Sequence, residues 1–389
     1  MRKKTLILLA WLMLGVGANA QLLTGAACTD EYLPQLQGKR VGLVVNHTSL
    51  VGAAHLVDTL RAAGVNISVV FAPEHGFRGG ADAGAAISDS TDARTGILIR
   101  SLYGKNKKPS PADLQRIDVM VFDIQDVGTR FYTYISTLFY VSEACAEARK
   151  PLIVLDRPNP NGHYVDGPIL EAPYKSFVGM APVPLVHGCT VGELAQMFKG
   201  EKWINAADSL PLSVVPCAFY THDTHYAPPV RPSPNLPDVR SILMYPGLCL
   251  FEGTKVSVGR GTDRPFQHIG YPDFPAGKTA FTPSSTPGAQ NPPYNGQACE
   301  GFDLTETTLD SLYAMKKIDL SWLLFFFEKS PRKDDFFVKT GFFNLLAGNR
   351  TLRVQVEQGM KESEIRASWQ PGLQQYKAMR SRYLLYPES

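Results

Sequence analysis

The sequence predicts an α/β protein, with a Rossmann-like parallel sheet domain followed by a smaller α+β auxiliary domain. Three observations carry this. Short β-branched apolar runs alternate with longer amphipathic stretches through the first half of the chain, the pattern of parallel strands joined by crossover helices. That alternation stops near residue 245, where a glycine-rich and then a Pro/Gly/Ser/Thr-rich composition takes over. A chain of 389 residues, 44% of them apolar, also exceeds what one hydrophobic core usually serves.

In chain order, residues 1–20 stand apart. Arg2, Lys3 and Lys4 precede an apolar run over 6–16, and Ala18-Asn19-Ala20 lies ahead of Gln21. Charge, apolar run and small-residue site together read as a secretory signal peptide, and the run is too short for a membrane span. Cys28 lies too far beyond the site to suggest a lipid anchor. The expectation is an exported protein, periplasmic or secreted, with no stable membrane insertion. The formal charge of +3 arises from those three leading cations, so the remainder of the chain is close to neutral. A neutral surface offers no broad footprint for nucleic acid or an anionic membrane, and recognition must be local.

Residues 21–244 form the expected sheet domain. Runs at 41–45, 67–71, 119–122 and 152–155 read as strands, and 53–64 and 133–149 as amphipathic helices, the second ending just before Pro151. No G-x-G-x-x-G follows the first strand, so no dinucleotide cofactor is implied. Residues 245–389 form the expected auxiliary domain. It begins with a turn at Gly259-Arg260-Gly261-Thr262 and a surface loop over 275–297, then a strand-like run over 336–343 and a basic helix over 361–382. Six cysteines lie scattered with no CxxC pair, which disfavours a zinc knuckle and fits buried free thiols.

In an open parallel sheet, ligands bind beyond the carboxyl ends of the strands. Every run here ends in polar residues: Asn46-His47-Thr48, Glu74-His75-Gly76, Asp123-Ile124-Gln125-Asp126 and Asp156-Arg157-Pro158-Asn159. Arg130 and Tyr132 lie on the turn that follows the third. Carboxylates, amides and imidazoles along one edge suit a polyhydroxylated ligand and proton transfer, and glycosidic cleavage usually needs two carboxylates. Glu74 leads, because Pro73 and Gly76 constrain its turn and no helix follows that it could cap. Asp123, Asp126 and Asp156 could equally cap helices, and Arg130 could be a salt-bridge staple. His47, His75 and His187 with the nearby acids lack the local spacing of a metal site, and no G-x-S-x-G elbow offers a nucleophilic serine. Arg260, on its glycine turn, could meet an anion. Tyr132, Tyr134, Tyr245 and Phe266 could stack on sugars.

The segments VGLVVNHTSL, FAPEHGFRG, SLYGKNKKPSP, DVMVFDIQDVGTRFYTYISTL, VLDRPNPNG, DGPIL, PLVHGCTVGELA, RPSPNLP, YPGLCLFEGT, GRGTDRPFQHIGYP and IRASWQPGLQQYKAMRSRYLLYP recur in order from about residue 38 to the C-terminus. Together they resemble the exo-β-N-acetylmuramidase family, long catalogued as a domain of unknown function. The resemblance implies a Rossmann-like catalytic domain, a smaller auxiliary domain and a cleft between them. The implied reaction releases N-acetylmuramic acid (MurNAc) from the non-reducing end of β-1,4-linked peptidoglycan fragments such as MurNAc-GlcNAc, with no cofactor. It places the catalytic glutamate on Glu74 and leaves its partner among Asp126, Glu171 and Glu252, all in matching motifs. Asn46, His75, Asp123, Tyr132, His187 and Asn235 fall in the motifs as candidate substrate contacts. Arg130 or Arg260 is placed to clamp the lactyl carboxylate that distinguishes MurNAc from GlcNAc. One departure is Val258, where the family commonly carries an acid before the glycine turn. Two other readings stand beside this one: a non-catalytic cell-wall sugar-binding protein using the same cleft, and a metal-dependent hydrolase.

Overall fold

A computed structural model describes residues 21–74, 76–77 and 89–388. The signal peptide expected at 1–20, and His75, lie outside them. Six parallel strands form the main sheet: β1 (Arg40–Val45), β2 (Asn66–Ala72), β3 (Leu98–Ser101), β4 (Val119–Asp123), β5 (Leu152–Leu155) and β6 (Leu212–Val215). Their spatial order is β3-β2-β1-β4-β5-β6, with the short strand Ser90–Thr91 antiparallel on the outer edge of β3. The order reverses between β1 and β4, which makes their carboxyl ends the switch point where a crevice opens.

Period-two alternation sends the strands into two cores. Leu43, Val45, Val70 and Ala72 pack with α1 (Thr29–Leu36) and α2 (Leu56–Ala62) on one face. Val44, Phe71 and Phe122 pack on the other against α3 (Tyr134–Glu147) and α4 (Val191–Gly200). The second half carries a three-stranded antiparallel sheet in the order β7 (His268–Tyr271), β9 (Cys299–Asp303), β8 (Thr279–Phe281). Around it lie α5 (Val239–Leu248), α6 (Leu309–Met315), α7 (Ser321–Lys329), α8 (Phe342–Ala347), α9 (Thr351–Glu357) and α10 (Glu362–Arg380). Phe326, Phe343 and Trp369 from these helices join the same core as Phe71 and Phe122, so the two halves share one apolar interior. The break expected at 244/245 falls inside α5. All six cysteines are unbridged, and no helix among the described residues is long and apolar enough to cross a membrane.

Three local expectations differ. The run at 336–343 is not a strand: Phe336 and Phe337 are buried in a turn, Phe337 makes one bridge to Thr254, and Gly341 at φ 74° starts α8. Its aromatic residues are dictated by burial rather than by pleat. The helix expected from residue 53 begins at Leu56, because Leu50–Val51 pairs back onto Ala54–His55 around Gly52 and the His55 ring accepts from the Val57 amide as its cap. The loop at 275–297 contains β8.

Candidate active site

At the carboxyl edge of the sheet a cleft of about 440 Å³ opens between the two halves. Glu74 enters it from the end of β2, Tyr103 from the end of β3, and residues 131–134 from the turn into α3. Tyr245, Glu252, Arg260, Phe342 and Leu346 face them from the second half.

Glu74 is held by hydroxyls. Thr133 stands at the N-cap position of α3 but makes no cap bond; its Oγ1 donates instead to Glu74 Oε2 at 2.6 Å. An N-cap threonine ordinarily satisfies a helix amide, so this hydroxyl serves the cleft. The Tyr103 phenol also bonds to Glu74, and burial together with the Glu74 charge pushes its pKa up, which keeps it a donor. Burial and the same carboxylate push Tyr134 up.

Across the cleft, Arg260 Nε donates to Glu252 Oε1 at 2.5 Å and the Cys249 thiol to Glu252 Oε2 at 3.6 Å. Gly259 and Gly261, at φ 76° and 82°, flank Arg260. A Cβ on Gly261 would meet the Ser284 carbonyl at 2.5 Å, so the turn requires glycine there and fixes where Arg260 points. The guanidinium lies over the Phe266 ring at 5.2 Å; burial alone would lower its pKa, but the charge and hydrogen bond of Glu252, with Tyr245 and Cys249, together hold it up. Among the described residues only Nε is hydrogen-bonded, which leaves both terminal nitrogens to a ligand. Tyr134, Tyr132, Tyr245 and Phe266 run edge to face between the two carboxylates, at centroid distances of 4.9, 5.9 and 4.9 Å.

Of the residues singled out from sequence, the cleft gathers Glu74, Tyr132, Tyr134, Asn235, Tyr245, Glu252, Arg260 and Phe266. Asn235 Nδ2 donates to the Gly288 carbonyl at 2.8 Å and Tyr132 to that of Pro232 at 2.8 Å, so both tie the cleft's walls together. The others are placed elsewhere. Arg130 is fully buried; Nη1 donates to the Pro168 and Val183 carbonyls and Nη2 to those of Leu346 and Ala347, so it is not available as a lactyl clamp. Asp123 forms a buried two-pronged ion pair with Arg157 at 2.5 and 2.9 Å and meets no solvent, as substrate contact would require. Asn46 Oδ1 takes the Thr48 amide and hydroxyl at 2.9 and 2.6 Å within the crevice floor. Asp126 accepts from the Gly128 amide at 2.7 Å with His187 at 3.7 Å, both buried outside the cleft lining. Glu171 borders a separate groove with Trp369. Asp156 accepts from the Gly192 amide in the first turn of α4 and from the Thr190 and Tyr386 hydroxyls, so it does serve the start of the next helix, from 36 residues away and not as its adjacent cap. Among the described residues, no three His, Cys, Asp or Glu side chains converge as a metal site. The sequence reading missed Thr133, Tyr103 and Cys249, although each sits inside a motif it quoted.

Comparison with known proteins agrees with this arrangement. The N-terminal profile of exo-β-N-acetylmuramidase NamZ matches residues 41–240 and its C-terminal profile residues 243–386. The peptidoglycan β-N-acetylmuramidase NamZ of Bacillus subtilis (strain 168) is 42% identical, over 92% of this chain and 89% of that protein. Two solved structures of DUF1343 family proteins from Bacteroides fragilis NCTC 9343 share the fold. One, 43% identical, covers 95% of this chain and 100% of its own with a TM-score of 0.88. The other, 28% identical, covers 94% and 99% with a TM-score of 0.81. With both profiles matched end to end and the relative's identity this high, the chain belongs to the exo-β-N-acetylmuramidase NamZ family.

Proposed function

We propose that this protein is an exo-acting glycoside hydrolase that releases MurNAc from the non-reducing end of β-1,4-linked peptidoglycan fragments. The observation that carries the reading is Glu74, held by the Thr133 and Tyr103 hydroxyls in a cleft that also holds the Glu252–Arg260 pair. Hydrolysis of a glycosidic bond needs a proton delivered to the leaving oxygen and a second enzyme carboxylate that acts at the anomeric carbon, as nucleophile ahead of water or as the base that activates water. Glu74 takes the first role, positioned by two hydrogen bonds. Of the three possible partners, Glu252 alone shares the cleft, so it takes the second. Arg260 offers two terminal nitrogens beside it, a geometry suited to the lactyl carboxylate of MurNAc. A leader at residues 1–20 would deliver the enzyme to the periplasm, where such fragments arise during wall turnover.

A chromogenic β-MurNAc glycoside tests the reading. The wild type cleaves it without added metal and with no loss to a chelator, and Glu74→Gln lowers kcat by about 10²–10⁴, the range of a lost general acid. Binding of muropeptides with no product would select the sugar-binding alternative, and loss of activity to a chelator the metal-dependent one.

A further inference from the structure

The cleft has two unlike ends, and contacts order its lining between them. From Arg260, the aromatic chain described above leads to Glu74; from Glu74, the Tyr103 hydroxyl leads to Phe177, whose ring lies edge-on to Tyr103 at 5.8 Å, and Lys107 Nζ rests over Phe177 at 4.6 Å. The Arg260 end is walled by the Arg260–Glu252 pair, whose side chains are 20% and 22% exposed over the fully buried Phe266 and which also lines a separate cavity of about 420 Å³. The Lys107 end is open, with residues 104–106 exposed beside it. Among the described residues, a Cβ on Gly104 would meet nothing within 4 Å.

Neighbouring lysines differ in what they already hold. Lys108 is committed to Glu143 and Glu147 at 2.8 and 2.7 Å. Lys105 is exposed and does not line the cleft. Lys107 lines it, and among the described residues makes neither a hydrogen bond nor an ion pair; its one contact is the Phe177 face. A cation resting on an aromatic ring at an exposed site is weakly held and can turn to an anion.

Resting on the muramidase reading, we infer that the cleft is directional: the terminal MurNAc sits against the Arg260–Glu252 wall, and the leaving sugar lies along Tyr103 and Phe177. Lys107 then binds the carboxylate of the next muramic acid in a longer fragment. A peptidoglycan strand freed of its stem peptides carries a lactyl carboxylate on every second sugar. A cation at the walled end and another beyond the leaving sugar therefore match a peptide-free strand that enters by its non-reducing terminus. Lys107 contributes to the choice of fragment length, and the reaction itself proceeds without it.

The test compares kcat/KM for the tetrasaccharide MurNAc-GlcNAc-MurNAc-GlcNAc with that for the disaccharide MurNAc-GlcNAc. In parallel, the Kd of both is measured on the uncleaving Glu74→Gln protein. Lys107→Gln lowers the tetrasaccharide-to-disaccharide ratio about fivefold, as expected for one partly exposed ion pair, and Lys107→Glu lowers it further. High salt compresses the wild-type ratio in the same direction. An unchanged ratio in Lys107→Glu, or an equal fall in Lys105→Gln, overturns the inference. If the wild type cleaves neither saccharide, the muramidase reading falls by itself, and the Kd ratio still decides what Lys107 does.

Discussion

Replacing Arg130 with alanine separates a pin between the two halves from a sugar clamp. Its guanidinium reaches Pro168 and Val183 at 2.8 Å on the sheet side, and Leu346 and Ala347 at 3.1 and 2.7 Å at the end of α8. Phe342 and Leu346 of that helix line the cleft, and Arg130 lies three residues before Thr133, which holds Glu74. Gly348 shows how closely the pin is fitted: a Cβ there would lie 2.4 Å from Arg130 Nη2. Among the described residues no carboxylate pairs with it, so burial pulls its pKa down to about 9 and four carbonyl dipoles compensate. Alanine leaves those carbonyls without donors, at about 1–3 kcal/mol each, while the burial cost of the charge is recovered. The net loss is about 3–5 kcal/mol, the usual scale for breaking a buried charged network. In a chain of this size that lowers Tm by roughly 4–6 °C. Scanning calorimetry with kinetics on paired MurNAc and GlcNAc glycosides reads both consequences. The pin lowers Tm and reduces kcat/KM for the two glycosides by a common factor, with Arg130→Lys recovering only part because an ammonium lacks the planar fork. An Arg130→Ala protein that melts with the wild type yet loses its preference for MurNAc would refute the assignment.

The cleft arginine behaves in the opposite way: Arg260→Ala lowers the kcat/KM preference for MurNAc over GlcNAc glycosides about a hundredfold, the worth of one two-pronged charge-assisted contact. An unchanged preference removes Arg260 as the lactyl clamp. Thr133→Val removes the 2.6 Å bond to Glu74 and lowers kcat about tenfold or more with KM little changed, while Thr133→Ser retains activity. Equal kinetics for the two variants would show that the hydroxyl is idle. Asp156 is fully buried, and burial raises its pKa from 3.8 to about 6. The folded state therefore keeps a proton that the unfolded chain has lost, and this group's contribution to stability falls as pH rises from about 4 to about 6, by about 3 kcal/mol. Asp156→Asn retains the amide acceptor, and the Thr190 and Tyr386 hydroxyls can turn to accept from its Nδ2. The wild-type-minus-variant difference in unfolding free energy, followed by urea denaturation, falls across that window; a flat or rising difference contradicts the assignment.

Much of the sheet was legible. The four runs read as strands are β1, β2, β4 and β5, the strands nearest the centre, where burial on both faces yields long apolar runs. The two missed, β3 and β6, are short and lie toward the edges. Arg100 interrupts β3 to pair with Asp113 and Asp89, and β6 is half-buried over three of its four residues. In the site, Glu74 was legible because an apolar run ends at Ala72 and the next turn is constrained by Pro73. Arg130 was legible as important and misread as to why. Its partners are main-chain carbonyls from 38 to 217 residues away, and a carbonyl leaves no mark on residue type. The same distance hid the choice among the second carboxylates, since Glu252 and Glu171 both lie in matching motifs and only folding separates their pockets.

The cleft opens at the edge to which the strand-end rule points, yet most polar ends there are committed to the framework. Polar groups at the ends of β1, β4 and β5 are buried and must be satisfied internally. Asn46 then binds Thr48, Asp123 binds Arg157, and Asp156 binds Thr190 and Tyr386. Only at the end of β2 does a carboxylate remain at an opening. What completes the site arrives from the covering half itself, as Glu252 and Arg260. The spacing of the two carboxylates is therefore a property of how the halves are docked, and Arg130 and Asn235 set that docking through main-chain carbonyls of the second half. Substitutions at these ties act on the distance between Glu74 and Glu252 without touching either.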